Sequence, residues 1–213
     1  MNIKRGFKIA GIIAVLAVTG TLMHYYGEVT KAQERQRAIA DQIIRLHVIA
    51  NSDSEEDQAV KLKVKETVLT YLRGEMKDAA TIGQARQAIR ENLSEIETIA
   101  EEKLAMEGYD YGVTASLEPC YFPVKEYGDM TFPAGEYEAL RVRLGKSEGK
   151  NWWCVMYPTL CFVDSVYQVV PEESKEKLQN SLSQDEYDSL LDGGEDITFG
   201  SRLAEWIRDV IGT

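Results

Sequence analysis

The period of the hydrophobic pattern changes twice between residues 44 and 157, and this restricts the fold more than any other feature of the chain. In "IIRLHVIANSDS", Ile44, Leu46 and Val48 alternate with Arg45 and His47, the two-residue period of a half-buried strand, and Asn51, Ser52 and Asp53 end it. The next stretch, "SEEDQAVKLKVKETVLTYLRG", contains a decoy, because "VKLKVK" alternates as a strand would. Ser54 followed three residues later by Asp57 resembles a capping box, however. Val60, Val64, Val68, Tyr71 and Leu72 then share one helical face up to a stop at Gly74, so the spacing predicts a helix. A second helix is predicted from Thr81, whose capping box closes on Gln84. Its stripe of Ile82, Ala85, Ile89, Leu93, Ile96, Ala100 and Leu104 runs to Gly108.

The two-residue period then returns. "YGVTASLEP" alternates at Tyr111, Val113, Ala115 and Leu117, and "GEYEALRVRLG" sets Leu140, Val142 and Leu144 against Arg141 and Arg143, leaving one face wet. "NWWCVMY" is apolar on both faces and reads as the central strand of the sheet. The segment "FPVKEYGDMTFPAGEYEALRV" has two Phe-Pro steps with Gly128 and Gly135, the chemistry of a structured hairpin loop, a place where recognition commonly sits. Strand, helix, helix and then at least three strands predict an α+β fold: one domain over residues 43–170, with an antiparallel or mixed sheet and two long helices packed on one face. Past Pro171 the chain turns polar and acidic, and Leu203, Trp206, Ile207, Val210 and Ile211 fall on one helical face. Residues 171–213 are therefore expected to be an acidic linker and a C-terminal amphipathic helix.

At the N-terminus, Lys4, Arg5 and Lys8 precede an uncharged run from Ile9 to Met23, the layout of a secretory signal or a membrane anchor. The run is short against the roughly 20 residues of a full span. Thr19, Gly20 and Thr21 do not make a clean cleavage site, so cleavage and anchoring both stay open. Residues 1–26 are expected to form this signal peptide or membrane helix, with the remainder outside the cytoplasm, and residues 27–42 a helical stalk or linker with little to bury. The net charge of −11 becomes more negative once the three leading cations are set aside. Such a surface is repelled by nucleic-acid phosphates, which excludes nucleic acid as a partner.

Little in the sequence points to catalysis. The chain has two histidines, one of them (His24) beside the export segment, and Cys154 and Cys161 lack the spacing of a zinc knuckle. No metal or other cofactor is expected, and no phosphate loop or serine elbow is present. "NSDSEED" has the carboxylates of a calcium loop but not its glycine or distant glutamate, and acids at a helix N-terminus account for it. A secreted thiol hydrolase or cell-wall enzyme would use Cys154 or Cys161 with His47 as base and Asn51 or Asp53 as orienter. Against it, a thiol in a buried strand is a poor nucleophile, and His47 reads as a polar edge residue, so no catalytic residue is assigned. With Pro158 able to turn the chain, Cys154 and Cys161 have two outcomes open: a disulfide, which needs Cα atoms within about 7 Å, or two buried reduced thiols.

Three segments converge on one family. "IRLHVIANSDSEEDQAVKLKVKETVLTYL", "FPAGEYEALRVRLG" and "NWWCVMYPTLCFVD", in this order behind an apolar N-terminus, resemble stage II sporulation protein R over roughly residues 40–165. The resemblance implies a non-enzymatic signalling protein of an endospore-forming bacterium. It would be secreted from the forespore into the intermembrane space, or anchored there, and would activate a membrane-embedded aspartic protease that processes the sigma-E precursor in the mother cell. Motif positions carried as candidates for the protease contact are His47, Asn51, Asp53, Phe132, Pro133, Gly135, Tyr137, Asn151, Trp152 and Trp153. Pro133 and Gly135 equally suit a purely structural role. Cys120 lies outside these motifs and is expected to be free.

Overall fold

A computed structural model describes residues 3–161, 170 and 172–191; the amphipathic helix expected at 203–211 lies outside them. Helix α1 (Ile3–Ala40) leads into strand β1 (Ile44–Ile49), and α2 (Glu55–Glu75) follows. The helical reading of "VKLKVK" holds. Ser54 is extended and accepts a hydrogen bond from the Asp57 N–H, acids fill the first turn, and Val60, Val64, Val68 and Leu72 are buried. The other half of a capping box is missing, because the Asp57 carboxylate is engaged elsewhere.

The single helix expected after Thr81 is two, α3 (Ile82–Glu91) and α4 (Leu93–Met106). Thr81 and Gln84 do form a full capping box. The break falls at Asn92, whose Nδ2 donates to the Ala88 carbonyl while its Oδ1 accepts from the Tyr71 hydroxyl. An Asn side chain that competes for backbone groups ends a helix without disturbing the apolar stripe, and Ile89, Ile96, Ala100 and Leu104 all stay buried.

Strands β2 (Val113–Phe122), β3 (Lys125–Tyr127), β4 (Met130–Phe132), β5 (Gly135–Leu144) and β6 (Asn151–Tyr157) complete the β structure. The sheet is mixed, in the order β2-β5-β1-β6. Strand β1 runs parallel to β5 and antiparallel to β6, and β2 is antiparallel to β5. "NWWCVMY" is thus an edge strand, not the centre; β1 and β5 are central. Its apolar character on both faces has another cause: Cys154 and Met156 face one core and Val155 the other. The expected hairpin is present as β3–β4, turning at Gly128 with φ 57°.

Two cores sandwich the sheet. On one face α2, α3 and α4 pack over Leu46, Val48, Leu140, Val142 and Leu144. On the other, the end of α1, the hairpin, and helices α5 (Glu172–Ser181) and α6 (Gln184–Leu191) gather around Phe122, Phe132, Tyr137 and Val155. The stretch read as an acidic linker therefore contains two helices, and their Leu178, Tyr187 and Leu190, with Leu182 between them, close this second core. With both faces covered, every residue of β1 is buried, where a half-buried strand was expected. Residues 27–40 continue α1; most are solvated, but Ile39 is fully buried in the second core. Among the described residues no helix is long and apolar enough to cross a membrane.

Candidate functional site

The second core covers only part of its face. Strand pairing puts Ser116, Arg141, His47 and Trp153 in one row across all four strands. The row on one side of it carries Thr114, Arg143, Ile49 and Asn151; the row on the other carries Glu118, Ala139, Arg45 and Val155. Toward one end this face carries Thr114, Arg143 and Asn151, and toward the other it runs into the second core, where Arg45 and Glu118 are the charged members, with His47 between them.

His47 is locked from several directions. Its ring stacks on Trp153 at 3.7 Å between centroids and meets the edge of Phe122. Its Nε2 lies 2.7 Å from Asn151 Oδ1, an acceptor, so Nε2 carries the proton and donates it. Burial lowers the His47 pKa to about 4, and the positive charges of Arg141 and Arg143 push the same way. The neutral ring therefore presents a bare Nδ1, and 3.5 Å from it stands Cys120 Sγ, which also lies 3.7 Å from the Tyr121 carbonyl oxygen. The half-exposed Arg141 and Arg143 both pair with Glu118, Arg141 at 2.6 Å, and Arg143 also donates to Ser116 Oγ. Hydrogen bonds from Ser116 and Arg141, with the charge of both arginines, overcome burial and hold the Glu118 carboxyl below its ordinary range.

Arg45 lies one row deeper and is fully buried, with no carboxylate paired to it among the described residues. Its guanidinium sits 4.1 Å from the Phe122 ring centroid and 4.7 Å from that of Tyr137, and it donates to the Tyr127 hydroxyl. Among the described residues, its Nε and Nη1, and Nε of Arg141, have no hydrogen-bond partner.

Of the ten motif positions, the structure gathers His47, Asn151 and Trp153 here. His47 is not a polar edge residue, since it lies on a central strand. Asn51 and Asp53 instead latch the loop after β1, accepting from the Lys146 and Lys150 backbone N–H groups. Trp152 faces the helical layer, with the Lys65 ammonium 4.3 Å from its ring centroid. Phe132 and Tyr137 build the second core, and the Tyr137 hydroxyl donates to the Pro133 carbonyl at 2.6 Å. Gly135 leaves room for Gln36, whose Nε2 donates to the Glu136 carbonyl. The sequence reading missed Cys120, Glu118, Arg141 and Arg143 as site residues; the wet alternation of Arg141 and Arg143 was the available signal.

Cys154 and Cys161 form a disulfide, with Cα atoms 5.1 Å apart, and belong to the core on the opposite face from His47. The hydrolase built on either of them with His47 is thereby excluded. Cys120 is the free cysteine. Among the described residues no cluster of three His, Cys, Asp or Glu side chains is placed to hold a metal ion.

A family model described as stage II sporulation protein R matches residues 40–167, which span β1 to the segment after β6. Stage II sporulation protein R of Bacillus subtilis (strain 168) is 35% identical over 216 residues, covering 93% of this chain and 96% of the relative. No solved structure matches. The sheet carrying His47, Asn151 and Trp153 lies wholly inside the matched region, and the chain belongs to the stage II sporulation protein R family.

Proposed function

We propose that this protein is a signalling ligand: secreted from the forespore, it activates the membrane-embedded aspartic protease that processes the sigma-E precursor in the mother cell, and it has no catalytic turnover of its own. The observation that carries the reading is the half-exposed row of Ser116, Arg141 and Trp153 around His47, held on four hydrogen-bonded strands. A protease is activated only by a ligand that binds its active arrangement more tightly than its inactive one. A pinned surface suits that task, because its side chains lose little further freedom on contact.

Two further features support the location. The Cys154–Cys161 disulfide fits a protein that matures outside the cytoplasm. Ile13, Leu16, Val18, Leu22, Met23 and Tyr26 all stand exposed along α1, an apolar surface that lipid would cover or that cleavage would remove. Co-expression of the chain with the protease and the sigma-E precursor in a non-sporulating host tests the reading. Cleavage that requires this chain is expected, and Trp153→Ala is expected to weaken it at least tenfold while leaving the folded domain intact. Equal precursor cleavage with and without the chain would reject the proposal.

A further inference from the structure

Helix α1 is built in a way that a cleaved leader does not require. It runs without a break from Ile3 to Ala40, and no proline interrupts it. Its last turns are seated on the domain: Ala32 and Gln36 are half-buried and Ile39 fully buried, at four- and three-residue steps along one face. Gln36 Nε2 donates to the Glu136 carbonyl in the space that Gly135 leaves open. Toward the other end, Ile13, Leu16, Val18, Leu22, Met23 and Tyr26 are exposed. We propose that α1 stays on the mature protein, embeds its apolar segment in lipid, and acts as a rigid spacer that holds the Ser116–Arg141–Trp153 row at a fixed distance from the lipid surface.

The occupant follows from shape and charge. At 3.6 residues per turn the six exposed side chains spread over roughly 220° of the helix surface. A groove on a protein, or a second copy of this chain, covers one side of a helix, whereas lipid covers all of it. Lys4, Arg5 and Lys8 precede the uncharged run and suit anionic headgroups. The rest of the chain, more acidic than the overall −11, is repelled by the same headgroups, so the domain stands off the surface that α1 enters. From Tyr26 to Gln36 the helix covers about 15 Å at 1.5 Å per residue. A helix this short frays alone in water. Here one end is fixed by the second core and the other continues into lipid, and Glu28 pairs with Lys31 at 3.2 Å on the solvated part between. What the row contacts rests on the signalling reading above; the spacer itself does not. A spacer of matched length gives a high effective concentration of the row at its partner, and one that misses gives almost none.

The test uses the full chain in vesicles of phosphatidylethanolamine and phosphatidylglycerol, which hold no protease, so its outcome is independent of the signalling reading. The chain is expected to float with the vesicles, and Leu16→Glu combined with Leu22→Glu should cut the floated fraction at least tenfold. A dye on Met106→Cys in a Cys120→Ser background, at an exposed position, reports the distance to labelled headgroups by time-resolved energy transfer. A narrow distribution of distances is expected. Alanine-rich helical blocks of about 7 and 14 residues inserted after Gly27 should move it outward by about 10 and 21 Å. Gly27 is exposed and precedes the seated turns, so the insertions leave the domain untouched. A Gly-Ser block of about 14 residues should instead broaden the distribution. Made in an exporting bacterial host, the chain should be recovered from the membrane at full mass. Recovery of a chain shortened within residues 1–26 would overturn the proposal. So would flotation unchanged by the two glutamates, or soluble oligomers in place of flotation. The spacer fails equally if the unsubstituted chain shows a distribution as broad as the Gly-Ser one, or if helical blocks leave the distance unchanged.

Discussion

His47 enters the folded state neutral, and that has a thermodynamic consequence. Its pKa of about 4 lies below the ordinary value of 6.5, chiefly through burial, and the hydrogen bond to Asn151 only partly opposes this. Between those two values the unfolded chain binds a proton that the native one does not. The contribution of His47 is therefore fully present above pH 6.5, is lost as pH falls, and levels off near pH 4. A shift of this size corresponds to about 3 kcal/mol. Denaturant unfolding at pH 7 and pH 4.5 should show a loss of stability larger by about 2–3 kcal/mol in the native chain than in His47→Gln. Equal losses in the two would show that the imidazole is not held neutral by the fold. The alternation of His47 with Leu46 and Val48 was visible in the sequence. Its burial was not, because the residues that cover it, Phe122 and Trp153, arrive from strands about 75 and 106 positions later.

Among the elements, the loop between β1 and α2 does more than connect them. Asp57, in the first turn of α2, accepts hydrogen bonds from Asn51 Nδ2, Ser52 Oγ and the Tyr111 hydroxyl, and these overcome burial to hold its carboxyl below the usual range. Asn51 and Asp53 in turn cap backbone N–H groups of the β5–β6 turn. One acidic side chain thus ties a helix N-terminus to the far ends of three strands. Asp57→Ala would strand a buried network, at a cost of about 2–3 kcal/mol, seen as a lower denaturant midpoint at unchanged slope. A loss of under half a kcal/mol would mean that water replaces the carboxylate. The same segment shows what a sequence can reveal. The Ser54 and Thr81 caps were legible because a cap is satisfied within three residues. The break at Asn92 was hidden because it depends on Tyr71, a residue of another helix. The edge position of β6 was equally hidden, since apolar residues on both faces say how a strand is covered and nothing about what pairs with it.

At the scale of the whole molecule, the two faces of the sheet divide the labour between stability and recognition. The face under α2, α3 and α4 is closed by a continuous apolar layer and carries the disulfide. The other face is closed only where α1, the hairpin, α5 and α6 meet, and what it leaves partly exposed are Ser116, Arg141 and Trp153 around the buried His47. Order along the chain decided this division, since α5 and α6 come from a stretch whose acidity hid its buried Leu178, Tyr187 and Leu190. Helix α1 joins the division at its last turns only. From Leu16 to Lys31 nearly every residue is exposed, whereas Gln36 bonds to the Glu136 carbonyl and Ile39 is fully buried. Its 38 residues extend about 57 Å at 1.5 Å per residue, far more than the domain uses. Removal of residues 1–31 should therefore leave the unfolding midpoint of the domain unchanged. Removal of residues 1–40 should lower stability by about 2–4 kcal/mol, because the fully buried Ile39 side chain is lost from the second core. Thermal and denaturant unfolding of the two truncated chains decide this. Equal stability of the two would mean that the second core closes without α1, and a loss already at residue 31 would mean that the exposed part of the helix packs on the domain after all.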